Sequence, residues 1–176
     1  MVAIIILIVI VVLFFIYLFI DITYNKFQDY IIRINDVELK IEDLLNNKFD
    51  NIIKINSIIK EKIGTDKEII DDISNIRDEK TKIEIDNILT ESFEKIDYIK
   101  NQYNELDDEE ELKKIYSNIE KEKESLNAYK KYYNDNSNDY NRIINKFPYG
   151  ITAKLFRYKT KELFNEIGRA SCRERV

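Results

Sequence analysis

Nineteen consecutive uncharged residues, Val2 to Ile20, constrain this chain more than any other feature. Nearly all are Ile, Val, Leu or Phe, and as a helix they would extend roughly 28 Å, close to the hydrocarbon thickness of a bilayer. A secretory leader would have a basic start, a shorter apolar core and small residues at a cleavage site. Here no Lys or Arg precedes the run, and Tyr17-Leu18-Phe19-Ile20-Asp21 holds no such site. The run therefore reads as an uncleaved transmembrane helix, with the lipid bilayer contacted through residues 2–20. Lys26, Arg33 and Lys40 come after it while no basic residue precedes it. That bias favours a cytoplasmic domain with the N-terminus outside.

The chain beyond this run is poor in turn-forming residues. Its 176 residues include three Gly and one Pro, and neither type occurs before Gly64. A β-rich domain needs many tight turns built on those residues, so long helices are expected. Apolar positions recur every three or four residues from Tyr24 through Phe27, Ile31, Ile34, Val37, Ile41, Leu45, Phe49, Ile52, Ile55 and Ile59 to Ile63. They form one stripe on one helix. Nothing separates this stripe from the membrane run, so the two read as one rod. Gly64-Thr65-Asp66 suits the end of that helix and the cap of the next.

The second stretch carries Ile69, Ile70, Ile73 and Ile76, then Ile83, Ile88, Leu89, Phe93, Ile96, Ile99, Tyr103 and Leu106. The polar interval between Ile76 and Ile83 reads as an exposed turn of one continuous helix, with a loop as the alternative. The acids from Glu105 to Glu111 mark the next turn, since acids favour a helix N-terminus. The third stripe is Leu112, Ile115, Ile119, Leu126, Tyr129, Tyr133, Tyr140, Ile144 and Phe147, stopped by Pro148-Tyr149-Gly150. Within it, Asn134 to Asp139 looks locally unhelical. A short amphipathic segment with Leu155, Phe156, Leu163 and Phe164 comes next. The expected fold class is all-α: an N-terminal transmembrane helix over 1–21, then over 22–166 an antiparallel bundle of three long helices and a short fourth.

Residues 167–176 break the composition. Three of the chain's seven Arg fall in these ten residues, and the run looks like the translation of a sequencing-adapter read. Setting its three Arg and one Glu aside takes the counts from 28 basic and 33 acidic residues to 25 and 32, and the net charge from −5 to −7. Cys172 lies in this run, so disulfide and thiol arguments lapse with it. An acidic domain with interspersed signs argues against nucleic acid, which needs clustered Lys and Arg.

The third stripe carries a pattern. Tyr133-Asn134, then Tyr140-Asn141, Ile144 and Phe147-Pro148 are succeeded by Ala153, Phe156 and Phe164. This resembles the C-terminal signature of the LemA family, small bacterial membrane-anchored helical proteins. Tyr24-Asn25 behind the apolar run looks like that family's opening pair. Lys48-Phe49-Asp50 with Ile52 sits where the family has an Arg-Tyr-Asp-Leu-Ile-type run, and Tyr103 with Leu106 matches its Tyr-Pro-x-Leu without the Pro. Glu38 stands where the family usually has Trp, Ile53 where it has Pro, and Ser137 at an apolar position. The resemblance implies a helical bundle displayed at a bacterial membrane and acting through protein contacts. It implies neither an accepted enzymatic activity nor catalytic residues.

The residue types agree. With no His, zinc sites, Glu-x-x-His di-iron sites and Ser-His-Asp triads lack their ligands or base. Gly64 and Gly150 stand alone, so no glycine-rich phosphate loop exists. Ser117 and Ser125 have no recognisable activating partner. The run Asp107–Glu111 lacks the central Gly of a calcium loop and reads as a helix start. Tyr129, Tyr133 and Tyr140 suit an interface as aromatic residues with polar tips, but their spacing is that of ordinary bundle core. No cofactor, metal or catalytic residue is expected. The candidate interaction residues are Tyr24, Asn25, Asp50, Tyr133, Asn134, Tyr140, Asn141, Phe147, Pro148 and Phe156. The expected role is a non-enzymatic, membrane-anchored interaction or scaffold protein, with unidentified protein partners and a second copy of the chain among the candidates. The alternative is an extracytoplasmic ligand-binding or sensor module.

Overall fold

The computed structural model describes residues 1–63, 80–103, 106 and 108–164. The described residues form four helices: α1 (Val2–Ile63), α2 (Lys82–Lys100), α3 (Glu110–Ile144) and α4 (Tyr149–Leu155). No strand occurs among them. The apolar run and the first stripe lie on the one helix α1, as their unbroken helical periodicity requires. The turn expected at Gly64-Thr65-Asp66 and the apolar positions Ile69 to Ile76 lie outside the described residues.

The stripe on α1 becomes core. Phe27, Ile34, Ile41, Ile52, Ile55 and Ile59 are fully buried, and Val37 and Leu45 nearly so. Upstream the same helix reverses character: every residue from Met1 to Tyr17 is exposed. By contacts the chain divides into two units, one of Met1–Val37 with Tyr132–Leu163 and one of Glu38–Lys131 with Phe164–Val176.

In the second unit, polar contacts give the directions of the helices. Lys82 at the start of α2 pairs with Glu38 (3.3 Å) and Glu42 (2.8 Å) of α1. Eight residues later, Thr90 meets Lys48 at 2.9 Å. Thus α2 runs in the same sense as α1. In contrast α3 runs against α1, since Asn47 meets Glu122 and Lys40 lies 5.5 Å from the Tyr129 ring. It also runs against α2: Lys130 pairs with Asp86, whereas Phe93 meets Tyr116 at 5.4 Å. Each long helix therefore has an antiparallel neighbour in α3.

The expectation of one continuous helix from Ile76 into Ile83 is corrected here. Ile63 lies about 30 Å along α1 from Glu42, yet Lys82 sits beside Glu42. A helix starts afresh at Thr81, whose backbone is extended. The Thr81 hydroxyl accepts from the Glu84 N–H while the Glu84 carboxylate accepts from the Thr81 N–H at 2.8 Å, a reciprocal capping box. The signature was in the sequence as Thr81-Lys82-Ile83-Glu84 ahead of an apolar run.

The first unit holds the C-terminal third of α3 and all of α4. The expected unhelical stretch at Asn134–Asp139 is a second correction, because α3 continues through it. Tyr133, Ser137 and Tyr140 fall at spacings of four and three and are all buried, so packing of that face overrides the weak helix propensity of Asn and Asp. The Asn136 side chain donates to the Tyr132 carbonyl at 2.8 Å within the helix. After α3, the Phe147–Pro148 peptide bond is cis. A Cβ on Gly150 would lie 3.1 Å from the Ile144 carbonyl oxygen, so glycine lets this turn close on the end of α3. At the other end of α4, Arg157 takes a positive φ of 56°. The Tyr158 N–H donates to Ala153 and the Arg157 N–H to Lys154, closing the helix as a Schellman turn.

Candidate functional site

Two places gather polar or aromatic side chains from several helices. The first is the aromatic cluster of the first unit, which takes in Tyr24, Tyr140 and Phe156 of the expected interaction residues. The Schellman turn sends Tyr158 back onto α1, where its ring meets Phe27 at 5.1 Å and its hydroxyl accepts from Gln28 at 2.8 Å. Phe27 also meets Tyr140 nearly edge-on at 6.3 Å. Tyr24 packs on Phe156 at 5.2 Å, and Phe156 on Tyr158 at 6.2 Å. Burial pushes the Tyr140 and Tyr158 phenols above their usual range. Both phenols stay protonated; Tyr140 is buried, and the Tyr158 hydroxyl is held by Gln28.

Asn141 has a specific job in this unit. Its side-chain amide donates to the Lys161 carbonyl and accepts from the Lys161 N–H, both at 2.8 Å. One side chain thereby satisfies both backbone groups of a residue in the segment after α4, which has no helix partners of its own. Tyr133 and Asn134 are buried. Asn25 is exposed, its side chain reaching Asp21 at 3.4 Å. Asp50 is exposed and belongs to the other unit, so it is not part of this cluster. Pro148 is half-buried. Phe147 departs from the stripe it was placed on: it is 79% exposed, because α3 ends at Ile144 and the turn carries Phe147 off the buried face.

The second place, which the sequence did not reveal, is a buried charge cluster in the second unit. Lys48 of α1, Asp86 and Thr90 of α2, and Lys130 of α3 come together. Lys130 donates to Asp86 Oδ2, with both side chains under one-tenth exposed. Lys48 Nζ lies 4.0 Å from Asp86 Oδ1 and donates to Thr90 Oγ1 at 2.9 Å. Thr90 in turn donates to the Asp86 carbonyl at 2.8 Å. Two ammonium groups thus share one carboxylate. Burial lowers Lys48 to about 8, against the attraction of Asp86 and with help from the nearby charges of Lys130 and Lys123. Lys130 also lies 6.0 Å from the ring of buried Phe164.

A cavity of about 230 Å³ opens beside this cluster, lined by Lys48, Thr90 and Lys130, by Phe93, Ile119 and Leu126, and by the acids Glu94, Asp97 and Glu122. Its lining is mixed in charge. Among the described residues no group of His, Cys, Asp and Glu side chains is arranged to hold a metal ion. Periodicity could not have found this cluster, because a Lys or Asp on a helix is read as solvent-facing unless its neighbour across the bundle is known. A weak signal existed at Asp86, three residues before Leu89 and ten before Ile96, on the buried face of α2.

Comparison with known proteins places these motifs. No curated protein and no solved structure matches the chain. The LemA family model matches residues 38–176, which include Asp50, both Tyr-Asn pairs of α3, Phe147-Pro148 and Phe156, while Tyr24-Asn25 precedes the matched span. With most of its length matched, the chain belongs to the LemA family.

Proposed function

We propose that this protein is a non-enzymatic, membrane-anchored interaction platform. The apolar start of α1 spans the bilayer, the N-terminus faces outward, and the helical units stand on the cytoplasmic side. The carrying observation is the change of character along α1. Its first seventeen residues expose Ile, Val, Leu and Phe side chains all round, and the same helix then supplies the central stripe of a packed bundle. An exposed apolar surface of that extent suits lipid, not water. Among the described residues, the one helix of sufficient length and apolarity has a mean hydropathy of 3.6 in its best window. Lys26, Arg33 and Lys40 support the cytoplasmic side.

The non-enzymatic reading is supported by how the buried charges are used. Asp86 is held between two lysines, and Lys48 and Thr90 complete one another. They tie α1, α2 and α3 together. Photocrosslinkers placed on exposed positions of α2 and α3 in native membranes should trap a small, reproducible set of protein partners, a second copy of the chain included. Recovery of only random neighbours would overturn the proposal.

The second reading, an extracytoplasmic ligand-binding module, is favoured by the cavity beside Lys48. Protease added to intact cells separates the two. On the first reading the helical units are protected until the membrane is breached; on the second they are shaved at once.

A further inference from the structure

The turn after α3 and the helix α4 invert the usual arrangement of a surface helix. Phe147, Ile151 and Leu155, spaced four apart, are 79%, 62% and 64% exposed. The residues that α4 buries are the small Thr152 and Ala153. In a water-facing helix the large apolar side chains would be inward. Location supplies the reason. The Tyr149 ring lies 6.2 Å from Phe19 and 5.2 Å from Lys26 Nζ. The first turn of α4 therefore stands against α1 where the apolar run gives way to Asp21 and Lys26. Leu18, Phe19 and Ile20 are half-covered there, unlike the residues before them.

Charge points the same way. From Tyr140 to Lys161 the chain carries six basic residues and no acidic one, although its overall net charge is −5. Lys146, Lys154, Arg157 and Lys159 are exposed. Large apolar side chains ringed by basic ones, at the end of a membrane helix, have the chemistry of an interfacial segment.

We infer that the Phe147–Leu155 segment is a lipid-binding foot, sinking Phe147, Ile151 and Leu155 into the headgroup boundary of the same membrane while its basic residues bind anionic headgroups. This rests on the reading of residues 2–20 as a membrane span. The foot fixes the membrane-proximal end of the first unit to the bilayer at a second point beside α1.

The test uses the full chain with Cys172→Ser, reconstituted in vesicles of phosphatidylcholine with phosphatidylglycerol. Single variants Ile10→Cys, Ile151→Cys and Asn138→Cys carry an environment-sensitive fluorophore. Lipids spin-labelled near the headgroup should quench most of the emission at position 151, several-fold more than at 138, and lipids labelled deep in the acyl chain should quench position 10. Reversing Lys146, Lys154 and Arg157 to Glu should bring quenching at 151 down toward that at 138, as should vesicles of phosphatidylcholine alone. Quenching at 10 with none at 151 sinks the foot and leaves the anchor standing. Loss at both positions sinks the anchor reading itself. If the label at 151 is instead reached by aqueous iodide, the segment faces water, and the inference fails. If it is shielded from iodide and lipid alike, or the Ile151→Cys chains crosslink to each other, protein covers the segment and the inference also fails.

Discussion

Replacing Lys48 by Met offers the sharpest check on the buried charge cluster. In the fold, burial brings the Lys48 ammonium from its usual 10.5 to about 8. The charged form is thus disfavoured by the native structure, to an extent that this drop makes about 3 kcal/mol. The unfolded chain holds the proton up to about pH 10.5, while the folded one releases it above about pH 8. Between those values the unfolded state binds more protons, so stability at this site rises with pH. Below about pH 8 the full cost is present. Met keeps the stem's packing without the charge. Asp86 retains Lys130, and Thr90 retains its bond to the Asp86 carbonyl. The Lys48–Thr90 hydrogen bond is lost, worth about 1 kcal/mol, together with the attraction to Asp86, which the lowered pKa already includes. Lys48→Met should therefore raise the unfolding free energy by about 2 kcal/mol at pH 7, and the gain should shrink steadily from pH 8 to 9.5. Urea unfolding of the full chain in detergent micelles, followed by circular dichroism at 222 nm, measures it. Taking the difference between variant and wild type cancels the titration of every group the two share. A variant that is less stable than wild type by the same amount at pH 7 and 9.5 would refute the reasoning.

The partner substitution acts in the opposite direction. Asp86→Asn removes the carboxylate that pairs with buried Lys130 and faces Lys48, and should cost about 3–5 kcal/mol at pH 7, read in the same unfolding experiment. Thr81→Ala removes half of the capping box and should cost about 1 kcal/mol, with increased amide exchange confined to the first turn of α2. Asn141→Ala deprives the Lys161 backbone of both partners. It should cost about 1–3 kcal/mol and expose the Lys161 amide to exchange while α3 keeps its protection.

Much of the helical content was legible because it depends on local rules. The stripe from Phe27 to Ile59 is periodic, and most of its members are buried in the core. Where local rules competed, reading along the chain chose wrongly in two instructive places. At Asn134–Asp139 the propensity of Asn and Asp pointed to a break, but burial of Tyr133, Ser137 and Tyr140 on one face holds the helix. Between Ile76 and Ile83 the helical period was extended across a capping box that starts a helix afresh at Thr81. Asn141 stood out as a motif residue, but its purpose needed Lys161, twenty residues away, to be placed beside it.

Sequence by itself determined that this chain is helical, that its first twenty residues suit a bilayer, and which face of α1 would be buried. Those properties come from composition and from a period of 3.6, which are written in consecutive residues. Family membership was legible for the same reason, as spaced pairs along α3. Tertiary structure alone decided that α2 runs in the same sense as α1, that Lys48, Asp86 and Lys130 meet in the interior, and that Phe147, Ile151 and Leu155 point outward. Asp86 and Lys130 are 44 residues apart. A charged side chain has no preferred face until another helix supplies its counter-ion, and an apolar one faces outward only where the neighbouring elements leave it uncovered.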